Sequence, residues 1–130
     1  MNNLTAEEKI LELEKMAMNA WLNGNPSPFL DLYSGDFTYF DPSLELRLDG
    51  WDKIKELYEV MRGKSKVDKF DIINPVVQID GSIAVLSYNL HIFLGEQVWK
   101  ENCTEVYRMD KSGSWKIIHS HFSPTKPSLK

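Results

Sequence analysis

The sequence predicts an α+β domain: a curved antiparallel sheet packed on a long N-terminal helix and two shorter helices. Three observations carry that prediction. Helix-period patterns fill the first half of the chain and strand-period patterns the second, an order that sets helices against one face of an antiparallel sheet. Residues 97–123 alternate apolar and polar side chains along two arms joined by a Lys-Ser-Gly-Ser turn. Turn signals at Asp80-Gly81, Leu94-Gly95-Glu96 and Lys111-Ser112-Gly113 divide the second half into four long strands.

Each element has its own local reason. Thr5 is an N-cap and Glu8, three residues on, completes a capping box. Ile10, Leu13, Met16, Ala17, Ala20 and Trp21 then recur at helical spacing, until Gly24 and Asn25 end the helix and Pro26 and Pro28 prevent its continuation. A short helix is expected over residues 28–33 and a strand over 36–41, stopped by Pro42, with a brief partner strand in 44–48. Residues 50–61 form the third helix, with Trp51, Ile54, Leu57, Tyr58 and Met61 on one stripe and Lys53, Lys55, Glu56 and Glu59 facing water. The strands follow at about 69–80, 82–94, 97–110 and 114–123. Residues 1–130 read as one domain in which 124–130 are a frayed tail.

The 130 residues suffice for a single core. A 42% hydrophobic and 26% charged composition is that of a globular chain rather than a disordered one. The net charge of −4, with no basic stripe, argues against nucleic acid as a partner. Cys103 is the single cysteine, so no internal disulfide can form, and a reducing, cytoplasmic setting is expected. The first residues carry charges where a signal peptide needs an apolar stretch, and no run is long enough to span a membrane.

A two-residue turn at Gly95-Glu96 sets Leu94 opposite Gln97 and therefore Leu86 opposite Glu105. One face then carries Ala84, Leu86, Tyr88, Leu90 and Ile92 with Trp99, Cys103, Glu105, Tyr107 and Met109, and should lie under the helices. The other carries Ser87, Asn89, His91, Lys100, Asn102, Thr104 and Arg108 and is wetter. Glu105 is the odd residue, a carboxyl among apolar neighbours, whose burial demands either a raised pKa or a partner.

The Thr-Glu-Val-Tyr strand answered by Trp115-Lys116-Ile117-Ile118-His119-Ser120-His121 resembles the closing hairpin of the nuclear transport factor 2-like superfamily. These cone-shaped, cystatin-like α+β domains include SnoaL-like cyclases, ketosteroid isomerases and the kinase association domain. The segment Phe37-Thr38-Tyr39-Phe40-Asp41-Pro42, ahead of the helix that opens at Gly50, is similar to ketosteroid isomerases. That resemblance implies Asp41 as a general base and Glu105, before Val106-Tyr107-Arg108, as a second, protonated acid (such enzymes are the standing example of a neutral carboxylic acid that donates to an oxyanion). Ala17 falls where those enzymes place an oxyanion tyrosine, which leaves Tyr39, Tyr58, Tyr88 or Tyr107 to supply a hydroxyl. The association domain has pocket arginines at the positions of Glu105 and Phe122, so this chain should not favour small carboxylates.

His119 and His121 lie two apart on one strand, a spacing that can bind zinc if a third ligand such as His91 joins them. Both resemblances instead send Ile118, Ser120 and Phe122 into the pocket. Trp115, Ile117, His119 and His121 then face outward as a dimer surface, and no metal is expected. The expected site therefore consists of Asp41 and Glu105 as catalytic groups in a pocket of Trp21, Tyr39, Tyr58, Leu86, Tyr88, Trp99, Cys103, Tyr107, Ile118, Ser120 and Phe122. The expected function is small-molecule binding by a SnoaL-like homodimer, with cofactor-free proton transfer of isomerase, cyclase or dehydratase type if there is turnover. The alternative is a non-catalytic association or ligand-sensing module, in which Arg47, Arg62 or Arg108 would tie up both carboxyls.

Overall fold

The computed structural model describes residues 4–64 and 66–126. Helix α1 (Ala6–Trp21) is followed by α2 (Ser27–Leu32), strands β1 (Tyr33–Phe40) and β2 (Leu48–Asp49), and helix α3 (Trp51–Met61). Strands β3 (Lys69–Asp80), β4 (Ile83–Leu94), β5 (Gln97–Met109) and β6 (Trp115–Pro124) complete the fold. The predicted capping box forms at the start of α1: the Glu8 amide donates to Thr5 Oγ1 at 3.1 Å and the Thr5 amide to Glu8 Oε1 at 2.9 Å. Thr5→Ala should cost about 1 kcal/mol, read as a lower urea midpoint with an unchanged m-value.

The sheet has six strands in the order β2-β1-β6-β5-β4-β3. It departs from the expected antiparallel pattern at one place, because β1 joins the meander by pairing parallel to β6. The turn at Gly95, whose φ of 59° suits a residue without Cβ, sets Leu94 opposite Gln97 and Leu86 opposite Glu105. On the edge strand β3 the register shifts between Ile73 and Val76, where Asn74 adopts φ 51°. Asparagine tolerates that left-handed backbone, and Pro75 beside it withholds a ladder donor, so the bulge also blunts the edge.

Helix α1 lies against α2 and β3, and α3 against β1 and β2. The core between helices and sheet includes Ile10, Met18, Phe29, Phe37, Ile54, Leu86, Leu90 and Ile117. It shifts the buried face of α1, which carries Ile10, Glu14, Ala17 and Met18, while Met16 is exposed.

A second shift corrects the outer surface. The register of β5 against β6 slips between Val106↔His119 and Tyr107↔Ile117, leaving Ile118 as the extra residue of a bulge. Strict alternation would send Trp115 and Ile117 outward with His119. The bulge reverses the parity, and both lie in the core at 8% and 0% exposure. They cannot form a dimer surface. The first residues of the expected tail are held: Pro124 is still paired in β6 and the Thr125 amide donates to the Lys100 carbonyl at 3.1 Å, while residues 127–130 lie outside the described residues. No described helix is long and apolar enough to cross a membrane.

Candidate functional site

A cavity of about 190 Å³ lies between the three helices and the sheet. Met18 and Trp21 come from α1, Phe29 from α2, Tyr58 from α3, Tyr39 from β1, Leu90 and Ile92 from β4, Glu101 from β5 and Phe122 from β6. Leu22, Asp41 and Pro42 complete the lining. The aromatic walls support one another: Trp21 stacks on Tyr58 at 4.2 Å between centroids, Tyr39 meets Tyr58 edge-on at 6.0 Å, and Phe122 lies 6.3 Å from Tyr39.

Asp41 follows the last residue of β1, where Pro42 has no amide to extend the ladder. Three donors hold its carboxylate. Tyr39 Oη donates to Oδ2 at 2.7 Å, and the Ser43 amide and hydroxyl donate to Oδ1 at 2.7 and 2.5 Å. Glu101 is the second acid of the cavity. Its burial, and next the charge of Asp41, push its carboxyl above the usual range. Among the described residues its side chain makes neither a hydrogen bond nor an ion pair.

Glu105 occupies a different place. It is fully buried and does not line the cavity with Asp41. Oε1 accepts a very short hydrogen bond from Ser120 Oγ, whereas Oε2 has no conventional partner. The neighbour is Glu14 of α1, also fully buried, whose Oε2 and Oε1 accept from Tyr88 Oη at 2.6 Å and Tyr107 Oη at 2.7 Å. Burial first, and the Glu14 charge second, push the Glu105 carboxyl well above its ordinary pKa. A proton on Oε2 turns the orphaned acceptor into a donor toward Glu14, and every carboxyl oxygen is then used. Two tyrosine hydroxyls and one proton thus partner a pair of interior carboxyls that keeps a single negative charge, held on Glu14.

Glu14, Glu105 and Cys103 present ligand atoms within 4.8 Å of one another. They fit a metal poorly, because both Glu14 oxygens already accept from tyrosines and burial pushes the Cys103 thiol well up, away from the thiolate that coordination needs.

Of the residues expected to form the pocket, the structure brings Asp41, Trp21, Tyr39, Tyr58 and Phe122 to the cavity. Leu86, Tyr88, Cys103, Tyr107 and Ser120 are buried outside its lining, and Ile118 is the half-buried bulge residue. Trp99 is 44% exposed near the tip of the β4–β5 hairpin. His119 and His121 do face outward beside Phe40, paired with Val106 and Thr104, while Ala17 is fully buried and offers no hydroxyl. The arginines are engaged elsewhere, Arg47 with Asp49, Arg62 with Glu59 and Arg108 with Asp36, so none ties up Asp41 or Glu105.

Two residues were missed, and both had a signal. Glu14 lies four residues after Ile10 and four before Met18, at the centre of the helix stripe that is buried. Glu101 shares strand parity with Cys103 and Glu105 and so had to share their face.

Sheet order, helix placement and the cavity between them define a nuclear transport factor 2-like domain. The chain belongs to the calcium/calmodulin dependent protein kinase II association domain family, which matches over residues 6–126. A protein from Parabacteroides distasonis ATCC 8503, described provisionally as a ketosteroid isomerase, is 42% identical over 97% of this chain and 92% of its own, with a TM-score of 0.87. A nuclear transport factor 2-like protein of unknown function from Pseudomonas putida KT2440 shares the fold at 24% identity and a TM-score of 0.82, covering 96% and 92% of the two chains. The calcium/calmodulin dependent protein kinase II hub of S. rosetta does so at 19% and 0.79, covering 95% and 100%. No curated protein matches the sequence.

Proposed function

We propose that the chain binds a small molecule in the cavity between helices and sheet and moves a proton on it, with Asp41 as the acceptor, without a cofactor. The observation that carries this reading is the Asp41 carboxylate, fixed by three donors and set in an aromatic-walled cavity. An oriented carboxylate facing an aromatic-walled cavity is what a general base requires, and the Tyr39 and Tyr58 side chains line the same space. The resemblance to ketosteroid isomerases gives Asp41 the same role. Glu105 leaves the catalytic pair and becomes part of the interior support for the sheet. The test is exchange of α-protons: small ketones are incubated with the protein in D2O and followed by proton NMR. Exchange above the buffer rate for any of them supports proton transfer, and buffer rates throughout a panel that includes cyclic and aromatic ketones would sink it.

A second reading, self-association of the cytoplasmic protein as a homodimer, has its own observation. Phe40, 38% exposed, packs against His119 and His121 at 5.5 and 5.2 Å on the outer face of the sheet. This cluster replaces Trp115 and Ile117 as the contact expected there. Phe40→Glu should shift the protein to monomer in sedimentation velocity, and an unaltered distribution would remove this face from any interface.

A further inference from the structure

The cavity's lining has an unbalanced charge. Its two ionisable carboxyls, Asp41 and Glu101, come with no lysine, arginine or histidine among the described residues that line it. Its walls are the π-faces and edges of Trp21, Phe29, Tyr39, Tyr58 and Phe122. From this combination we infer that the ligand carries a positive charge: the cavity is a site for a small organic ammonium ion, with aromatic walls around the cation and the two carboxylates as its counter-charges. This inference rests on the proposed use of the cavity as a ligand site and names the chemical class that it takes.

Three physical facts favour a cation over a neutral or anionic ligand. Aromatic quadrupoles attract ammonium groups, most strongly where water is excluded. An anion would enter against two carboxyls with no compensating cationic donor among the described lining residues, a repulsion that discriminates against it. Glu101 is half-buried and its side chain has no protein partner among the described residues, which leaves its carboxyl free to accept from an ammonium N–H. The same cation would offset both influences that favour protonation of Glu101, its burial and its proximity to Asp41.

The test uses three probes of nearly one shape, benzylamine, benzyl alcohol and benzoate, titrated at pH 7 into 15N-labelled protein. The Trp21 indole and the amides of Asp41 and Glu101 are followed by NMR. Benzylammonium is expected to bind at least tenfold tighter than benzyl alcohol, and benzoate to leave these signals in place. In Glu101→Gln, and separately in Asp41→Asn, the preference for the cation over the alcohol should fall at least fivefold, with the remaining amide spectrum verifying the fold of each variant. Benzyl alcohol or benzoate binding as tightly as benzylammonium would overturn the inference and leave the cavity reading standing. Absence of any shift at the cavity residues with all three probes would overturn both.

Discussion

Glu14→Leu should lower stability by about 4 kcal/mol, whereas Glu105→Gln should lower it by about 1 kcal/mol or less. The asymmetry follows from the proton. Leucine at position 14 leaves the Tyr88 and Tyr107 hydroxyls and the Glu105 acid without acceptors in the interior. Glutamine at position 105 keeps an acceptor for Ser120 and offers an N–H where the protonated acid offers O–H. Urea unfolding of both variants at pH 7 checks this, and equal losses would mean that the two carboxyls are not divided into donor and acceptor.

The same pair predicts a pH dependence. Glu105 has a folded pKa raised above its unfolded value of about 4.3, so the folded state holds the proton more tightly. Its contribution is fully present below that unfolded value and is lost as pH rises through the raised one, with a slope of at most about 1.4 kcal/mol per pH unit. Between pH 5 and pH 9 the stability of the unaltered protein should therefore decline relative to Glu105→Gln. Parallel curves would place no titrating proton at this site.

These interior carboxyls also mark where the sequence was legible and where it was not. The hairpin register followed from the two residues after Leu94, and with it the burial of Glu105. The capping box located the start of α1, and Ile10 and Ala17 are buried as its stripe requires, but Glu14 and Met18 are buried where Leu13 and Met16 were favoured by hydrophobicity alone. Burial of Glu14 is decided by Tyr88 and Tyr107, which are 74 and 93 residues away and reach it only once the sheet closes. The outward assignment of Trp115 and Ile117 failed because period-2 reasoning cannot see a bulge, and a single extra residue at Ile118 inverts everything before it. The parallel pairing of β1 with β6 was hidden for a related reason: it joins residues about 80 positions apart and has no turn to announce it.

Asp41→Asn should reduce any ketone exchange by about a thousandfold, within the range that a positioned general base contributes. The amide can still accept from Ser43 at the position of Oδ1. At the position of Oδ2 its NH2 would face the Tyr39 hydroxyl as a second donor, so the phenol must turn to accept instead. The variant thus removes the proton acceptor and disturbs one wall contact while leaving the backbone turn in place. Exchange that persists in Asp41→Asn would move the base to another residue of the cavity.

The central claim is that the space between helices and sheet holds a small molecule against Asp41, and a crystal structure of the protein as purified tests it most directly. The account predicts electron density for a compact ligand between Trp21, Tyr58 and Phe122, within hydrogen-bonding distance of the Asp41 carboxylate. A cavity closed by the Trp21 and Tyr58 rings, with Asp41 turned to solvent, would contradict it.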